Sequence, residues 1–250
     1  MKNLEFNHPL VLFNVGKGHS GSTILNLVLG QHPKIISLGE VSTTLNNLKE
    51  TDNLCSCGKS KKNCPIWSKV LQLDDNLTIT EKYKKLVEIV KFYYGNNTIV
   101  ADSSKSLNNL KLINKDFVRE NFYILFLLKD IRSYLISMID LKKKHKKQTV
   151  STLDILKFLL QWHYGNKKIK KYLNNNNYKY MQIGYEEFAL NPETILKEIA
   201  DKLNLNYDNQ SFKMDQDNTT HVMHGNAMRH DKEKTQKIKY DYRWFYSNSI

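Results

Sequence analysis

An apolar run, Leu10 to Val15, leads into Gly16-Lys17-Gly18-His19-Ser20-Gly21-Ser22-Thr23, and an amphipathic stretch starts directly behind it at Ile24 and continues through Leu25, Val28 and Leu29. A strand that ends in a glycine-rich turn and hands over at once to a helix aims several unpaired backbone N–H groups at one point. The helix dipole adds its positive end there. Gly16, Gly18 and Gly21 permit the tight backbone, while the Ser20, Ser22 and Thr23 hydroxyls are placed to donate to phosphate oxygens or to cap the helix. The nucleoside-triphosphatase version of such a loop, G-x-x-x-x-G-K-[ST], needs a lysine just before its final hydroxyl residue. Gly16 and Gly21 have that separation, but Ser22 stands in the lysine's place, which disfavours magnesium-dependent triphosphate chemistry. Taken alone, the loop fits a phosphate cradle and a plain strand-to-helix turn equally well.

Further along, short apolar runs enriched in β-branched or aromatic residues predict strands at Leu10–Val15, Thr98–Ala101, Phe122–Leu128 and Tyr178–Ile183. Amphipathic patterns between them predict helices at Ile24–Leu29, Glu81–Tyr93, Ile131–Leu141, Thr152–Tyr172 and Pro192–Leu203. Alternation of strand and helix predicts a three-layer α/β fold, a central parallel sheet flanked by helices. The 250 residues suit a single domain, 1–250, with a lid-like insertion at about 46–75. In such a sheet the ligand site collects at the carboxyl ends of the strands. The residues found there are the cradle, then Asp102-Ser103-Ser104-Lys105, Lys129-Asp130-Ile131-Arg132 with Ser137 beyond it, and Tyr185-Glu186-Glu187-Phe188. Anion donors and one aromatic face would converge.

A formal charge of +13 points to an anionic partner: nucleic acid, an anionic membrane surface or a small polyanionic cofactor. The most basic segment, Lys142 to Lys147, has no interleaved aromatics, so it reads as a solvated face or mobile loop and not as a nucleic-acid groove. Neither a signal-peptide core nor a membrane-length apolar window occurs, and a cytoplasmic location is expected. The Asn174–Asn177 run reads as a turn between a helix and a strand. Three cysteines, Cys55, Cys57 and Cys64, cluster in Cys-Ser-Cys-Gly-Lys-Ser-Lys-Lys-Asn-Cys-Pro-Ile-Trp. The cluster could hold a metal with a fourth ligand or form a disulfide; a structural zinc site wants four ligands, and no histidine lies at a familiar spacing nearby, so the reading favours a small lid packed by Pro65, Ile66 and Trp67 over a metal site. A lasting disulfide is disfavoured in a cytoplasmic setting.

The cradle, the segment from Lys129 to Ser137, Tyr185-Glu186-Glu187-Phe188, and His221 through Arg229 occur in the order found in sulfotransferases that use 3'-phosphoadenosine 5'-phosphosulfate (PAPS), and the chain resembles that family. The cysteine insertion and Asp102-Ser103-Ser104-Lys105 are similar to those of bacterial members. The resemblance spans nearly the whole chain and implies a P-loop-like sulfotransferase fold. It further implies sulfuryl transfer to a hydroxyl or amine acceptor, release of adenosine 3',5'-bisphosphate (PAP), and no metal requirement. Lys17, Gly18, His19, Ser20, Gly21, Ser22 and Thr23 become candidate contacts of the 5'-phosphosulfate, and Lys129 and Ser137 candidate contacts of the 3'-phosphate. Relatives usually carry arginine where this chain has Lys129, so Arg132 or Arg229 is expected to supply part of that recognition. Tyr185 resembles an adenine contact, with capping of the sheet edge as the alternative. Gly225, Asn226 and Arg229 resemble a C-terminal cofactor clamp.

Catalytic candidates are Glu40, His19 and Lys105. Glu40 follows the first helix in Leu38-Gly39-Glu40-Val41, where similar enzymes place a glutamate that takes the acceptor's proton. His19 stands where many relatives have lysine or arginine; a neutral imidazole donates one hydrogen bond, so the bridging oxygen needs either a protonated His19 or a second cation such as Lys105. His32, His163 and Trp162 read as structural. The acceptor stays open among carbohydrate, lipid-linked sugar, small metabolite and peptide. Two alternatives stand beside this reading: a P-loop kinase of unusual sequence and a non-catalytic nucleotide- or nucleic-acid-binding module.

Overall fold

A computed structural model describes residues 9–49, 54–114, 117, 119–146, 149–208, 212, 220–226 and 238–246. In chain order the elements are β1 (Val11–Gly16), α1 (Ser22–Leu29), β2 (Ile35–Gly39), α2 (Val41–Asn46), α3 (Trp67–Val70), α4 (Ile79–Tyr94), β3 (Ile99–Lys105), α5 (Leu107–Ile113), β4 (Phe122–Leu128), α6 (Ile131–Lys146), α7 (Thr152–Asn175), β5 (Tyr180–Gly184), α8 (Tyr185–Leu190) and α9 (Pro192–Lys202). The five strands form one sheet in the order β2-β3-β1-β4-β5, and every neighbouring pair is parallel. β1 therefore lies between strands that leave it in opposite directions along the sheet, which opens a crevice at its carboxyl end.

Period-two alternation builds the two faces. Val11, Phe13 and Val15 point into one apolar layer with residues of α2, α4 and α5. Leu12 points into the other, with Ile24, Leu25, Val28 and Leu29 of α1 and Ile195, Leu196 and Ile199 of α9. All six residues of β1 are buried, as a central parallel strand covered on both faces requires. Capping boxes at Thr78–Glu81 and Ser151–Asp154 fix the starts of α4 and α7.

Several expectations need correction. A fifth strand, β2, occupies Ile35–Gly39, a segment too short to show a period of its own beside Pro33. Asp102 to Lys105 do not follow the β3 strand; they are its last residues, and Lys105 takes the left-handed conformation, with φ 59°, as the chain turns off the sheet. Lys142 to Lys146 continue α6, where Lys143 and Lys144 are exposed and Lys142 pairs with Asp154; Lys147 lies outside the described residues. Within the insertion, Cys64, Ile66 and Trp67 are fully buried in the core layer beside α4, and none of residues 54–75 lines the large cavity at the strand ends. Among the described residues, no helix is long and apolar enough to cross a membrane.

Candidate functional site

The carboxyl ends of the strands border a cavity of about 810 Å³. From β1 come Gly18, His19, Gly21, Ser22 and Thr23; from β2, Glu40; from β3, Lys105; from β4 and α6, Lys129 and Ser137; from α8, Tyr185. Gly225 and Asn226 close one side, and residues of the segment 239–246 close another. Most of the residues singled out in the sequence thus share one cavity, although they are spread over more than two hundred positions.

The glycine loop turns through two left-handed residues, His19 at φ 67° and Gly21 at φ 91°. Gly21 has no substitute: a Cβ there would sit 2.2 Å from Cδ2 of Tyr185, so the tyrosine ring packs flat on the loop only because the side chain is absent. α1 starts with no side-chain cap, and the Oγ of Ser20 is buried without a hydrogen-bond partner. An uncapped helix start and an orphaned buried hydroxyl in a glycine turn are the donor set of an oxyanion site. His19 lies among cations. Burial first, then the charges of Lys105, Lys129 and Arg243, hold its imidazole below the ordinary histidine pKa.

On the β2–β3 side, Nζ of Lys105 donates to Oε1 of Glu40 at 2.6 Å. Glu40 is held from both directions: its N–H donates to the His224 carbonyl, and its own carboxylate accepts from Thr43 at 3.3 Å. Behind them Asp102 is fully buried and accepts hydrogen bonds from Ser104, Tyr83 and the Val41 N–H, which ties the end of β3 to the start of α2. Burial pushes the Asp102 carboxyl up to about 6 against those hydrogen bonds.

On the β4–α6 side, Nζ of Lys129 lies 3.4 Å from Oγ of Ser137 and 2.8 Å from Oδ2 of Asp241. Arg243 reaches the same hydroxyl at 3.0 Å and grips Asp241 through Nε and Nη2, at 2.8 and 2.7 Å. Burial alone would raise the Asp241 carboxyl; hydrogen bonds from Arg243 and Lys129 outweigh it and hold the group well below the usual carboxylate range. A lysine and an arginine gripping one carboxylate, with a serine hydroxyl bonded to both cations, are the donor pattern of an anion pocket, with the chain's own carboxylate as the anion. Tyr185 stands beside it, its ring 5.1 Å from the Lys129 ammonium and its hydroxyl donating to the Lys239 carbonyl at 2.7 Å. Burial pushes this phenol up to about 12, ahead of the repulsion from Asp241 and Glu186.

Other candidates go elsewhere. Lys17 points away from the large cavity and packs along Gly165 of α7, in a second cleft of about 340 Å³ that shares Gly18 and Lys105 with the first. Arg132 pairs with Asp130 and lies over the Trp244 ring at 3.8 Å, outside the cavity. Arg229 lies outside the described residues. His32 is buried with both ring nitrogens bonded to backbone, to the Asn206 carbonyl and the Lys34 N–H. His163 stacks edge-on against Tyr164, away from the site. Trp162 donates from Nε1 to the Lys129 carbonyl and steadies that turn. Sequence reasoning missed Asp241 and Arg243, which belong to no recognisable motif; the one available signal was an arginine near a run of aromatic residues at the chain end. It named His221 only as the start of the stretch through Arg229 and missed that the fold brings it to Cys55, Cys57 and Cys64. The expectation that these thiols lack a fourth partner is overturned, because that partner is supplied from 157 residues past Cys64.

A parallel sheet of order β2-β3-β1-β4-β5 with a glycine turn after its central strand is a P-loop-like α/β fold. Residues 10–209 match the family model described as "Sulfotransferase family", and the chain belongs to that family. Among solved structures, the sulfotransferase domain from the curacin biosynthetic pathway is 18% identical, with 94% of this chain and 85% of that one covered at a TM-score of 0.62. The sulfotransferase domain of the Synechococcus PCC 7002 olefin synthase is 16% identical, covering 100% and 91% at a TM-score of 0.56. A sulfotransferase from Alicyclobacillus acidocaldarius is 17% identical, covering 90% and 89% at 0.50. No functionally curated protein matches the chain.

Proposed function

We propose that the protein is a PAPS-dependent sulfotransferase whose 3'-phosphate pocket is the Lys129–Ser137–Arg243 cluster. The observation that carries the reading is Asp241, a carboxylate gripped by Lys129 and Arg243, whose cations share the Ser137 hydroxyl, at one end of a cavity whose other end is a glycine turn with an orphaned hydroxyl. Two anion sites on one cavity fit a nucleotide bearing two separated anionic groups. PAPS would supply the sulfuryl group and a nucleotide leaving group.

On this reading the amides and hydroxyls of Ser20 to Thr23 hold the 5' end, and Tyr185 presents its ring beside the 3'-phosphate pocket. Burial and the neighbouring cations disfavour a charge on His19, so Lys105 supplies positive charge to the departing oxygen beside the His19 hydrogen bond. Glu40 accepts the proton of the acceptor hydroxyl or amine, and its 2.6 Å contact with Lys105 sets the carboxylate's orientation. The second cleft, lined by Lys17, Ser104, Ser106, Asn108 and Lys168, is the acceptor's approach, because it meets the first at Gly18 and Lys105. Ser22 in place of the triphosphatase lysine weighs against a kinase.

The test is transfer from radiolabelled PAPS to a panel of hydroxyl and amine acceptors, run beside Glu40→Gln. Wild type should release one PAP per labelled acceptor, and Glu40→Gln should lower kcat by about a hundredfold or more with PAP affinity retained. Label transfer at full rate in the variant removes Glu40 from the reaction; turnover that needs ATP and magnesium instead of PAPS overturns the reading.

A further inference from the structure

We propose that Cys55, Cys57, Cys64 and His221 hold a structural zinc ion that fastens the cysteine insertion to the segment carrying Gly225 and Asn226. The four ligand atoms all lie within 4.8 Å of one another. Sγ of Cys64 is 3.7 Å from Sγ of Cys55 and 3.3 Å from Nδ1 of His221, and Sγ of Cys55 is 3.9 Å from the same nitrogen. Zinc bonds of ~2.3 Å to sulfur and ~2.0–2.1 Å to nitrogen in a tetrahedron give edges of about 3.8 Å between sulfurs and about 3.6 Å between sulfur and nitrogen. The three distances among Cys55, Cys64 and His221 already lie close to those edges.

Its chemistry excludes the simpler accounts. All three thiols are free, and one disulfide among them would leave a thiol over. A disulfide would also need its sulfurs at ~2.05 Å. Cys55, Cys64 and His221 are buried, as a closed structural site requires, and a set of three thiolates and one imidazole with no open position suits zinc over magnesium or calcium. His221 is oriented for the role: Nδ1 faces the sulfurs, and Nε2 is engaged by the Tyr94 hydroxyl, the outer partner that fixes a ligating imidazole's tautomer. Zinc enters as the divalent ion; three Zn–S bonds and one Zn–N bond form, three thiol protons leave to solvent, and nothing is oxidised or reduced.

The backbone around the cluster says what the ion would hold. Cys55 to Ser60 form a tight loop, with the Cys55 N–H bonded to the Lys59 carbonyl and Gly58 at φ 77°. The opposite strand of the staple is 220–224: the His221 N–H donates to the Ser37 carbonyl of β2, its carbonyl accepts from Trp67 Nε1 at 2.6 Å, and Ser56 and Val222 exchange hydrogen bonds. Three residues past His221, His224 bridges to Gly39 and accepts from the Glu40 N–H. No zinc ligand lines the large cavity, so the ion acts on the site only through this chain of contacts.

The test uses the full chain without a histidine tag, expressed in zinc-supplemented medium and purified without chelator. Elemental analysis should find about one zinc per chain, and cobalt substitution should give the strong visible absorption of tetrahedral thiolate coordination. Cys57→Ser, at the least buried ligand, should lose the ion to a mild chelator that leaves wild type loaded. Tyr94→Phe, a positioning change, should weaken zinc binding about tenfold in chelator competition while the ion still binds. Protein that carries no zinc, and after reduction takes up none when titrated with zinc chloride, overturns the proposal. Equal retention of zinc by wild type, Cys57→Ser and His221→Ala overturns it too. These readouts need no donor or acceptor, so they stand or fall apart from the sulfotransfer assay.

Discussion

Asp241→Asn should tighten binding of adenosine 3',5'-bisphosphate while loosening the fold. In the structure the Asp241 carboxylate takes the hydrogen bonds of Lys129, at 2.8 Å, and of Arg243, at 2.7 and 2.8 Å. A 3'-phosphate that uses the same cations and Ser137 must displace it. A hydrogen bond to a charged group contributes about 1.5–3 kcal/mol net, and a buried pair keeps most of that because solvent screens it poorly. Replacing the charge with an amide removes about that much competition, which corresponds to about ten- to a hundredfold tighter bisphosphate binding. AMP lacks the 3'-phosphate and should bind both proteins alike. Stability should move the other way: the carboxyl is held below its unfolded value, so at neutral pH the ionised group stabilises the fold, and the variant should melt earlier. Titration calorimetry with both nucleotides at one fixed ionic strength, with a melting curve, reads all of this. Weaker bisphosphate binding by the variant, or equal gains for AMP, would refute the reasoning.

Two further outcomes follow from buried titrating groups. The His19 imidazole, followed by NMR, should titrate below 6.5 in the free protein, and bound bisphosphate should raise its midpoint by adding negative charge beside it; an unchanged midpoint would put the nucleotide elsewhere. Asp102 titrates near 6 in the fold against an ordinary value of 3.8, so the folded state holds its proton more tightly than the unfolded chain does. Wild type should lose about 2 kcal/mol relative to Asp102→Asn as pH rises from about 4 to about 7, measured by denaturant unfolding, and a flat difference would contradict the account.

The first strand, the glycine loop and the helix behind it were legible because apolar run, glycine spacing and amphipathic stretch all favour one local structure. Phe122–Leu128 and the long helices after it were legible for the same reason. β2 was not, since five residues beside a proline carry too little pattern, and its assignment rests on pairing with β3. Lys105, Lys129, Ser137 and Tyr185 could be placed on one cavity because parallel topology sends every strand end to one side of the sheet, whereas Glu40 came from the family resemblance alone. Lys17 and Arg132 show where that logic stops: it brings a residue to the rim, while the direction of its side chain depends on a turn angle such as the φ of 67° at His19 and on a neighbour such as Asp130. His221 and Arg243 lie far along the chain from their partners, and tertiary packing alone unites them.

The central claim, that the Lys129–Ser137–Arg243 cluster reads a 3'-phosphate on the nucleotide held by the glycine loop, is tested most directly by calorimetric comparison of adenosine 3',5'-bisphosphate with AMP on wild type and Lys129→Ala. Wild type should prefer the bisphosphate by at least about tenfold, the worth of one charge-assisted contact, and Lys129→Ala should lose most of that preference with AMP binding unchanged. Equal affinity of the wild-type protein for the two nucleotides would contradict it.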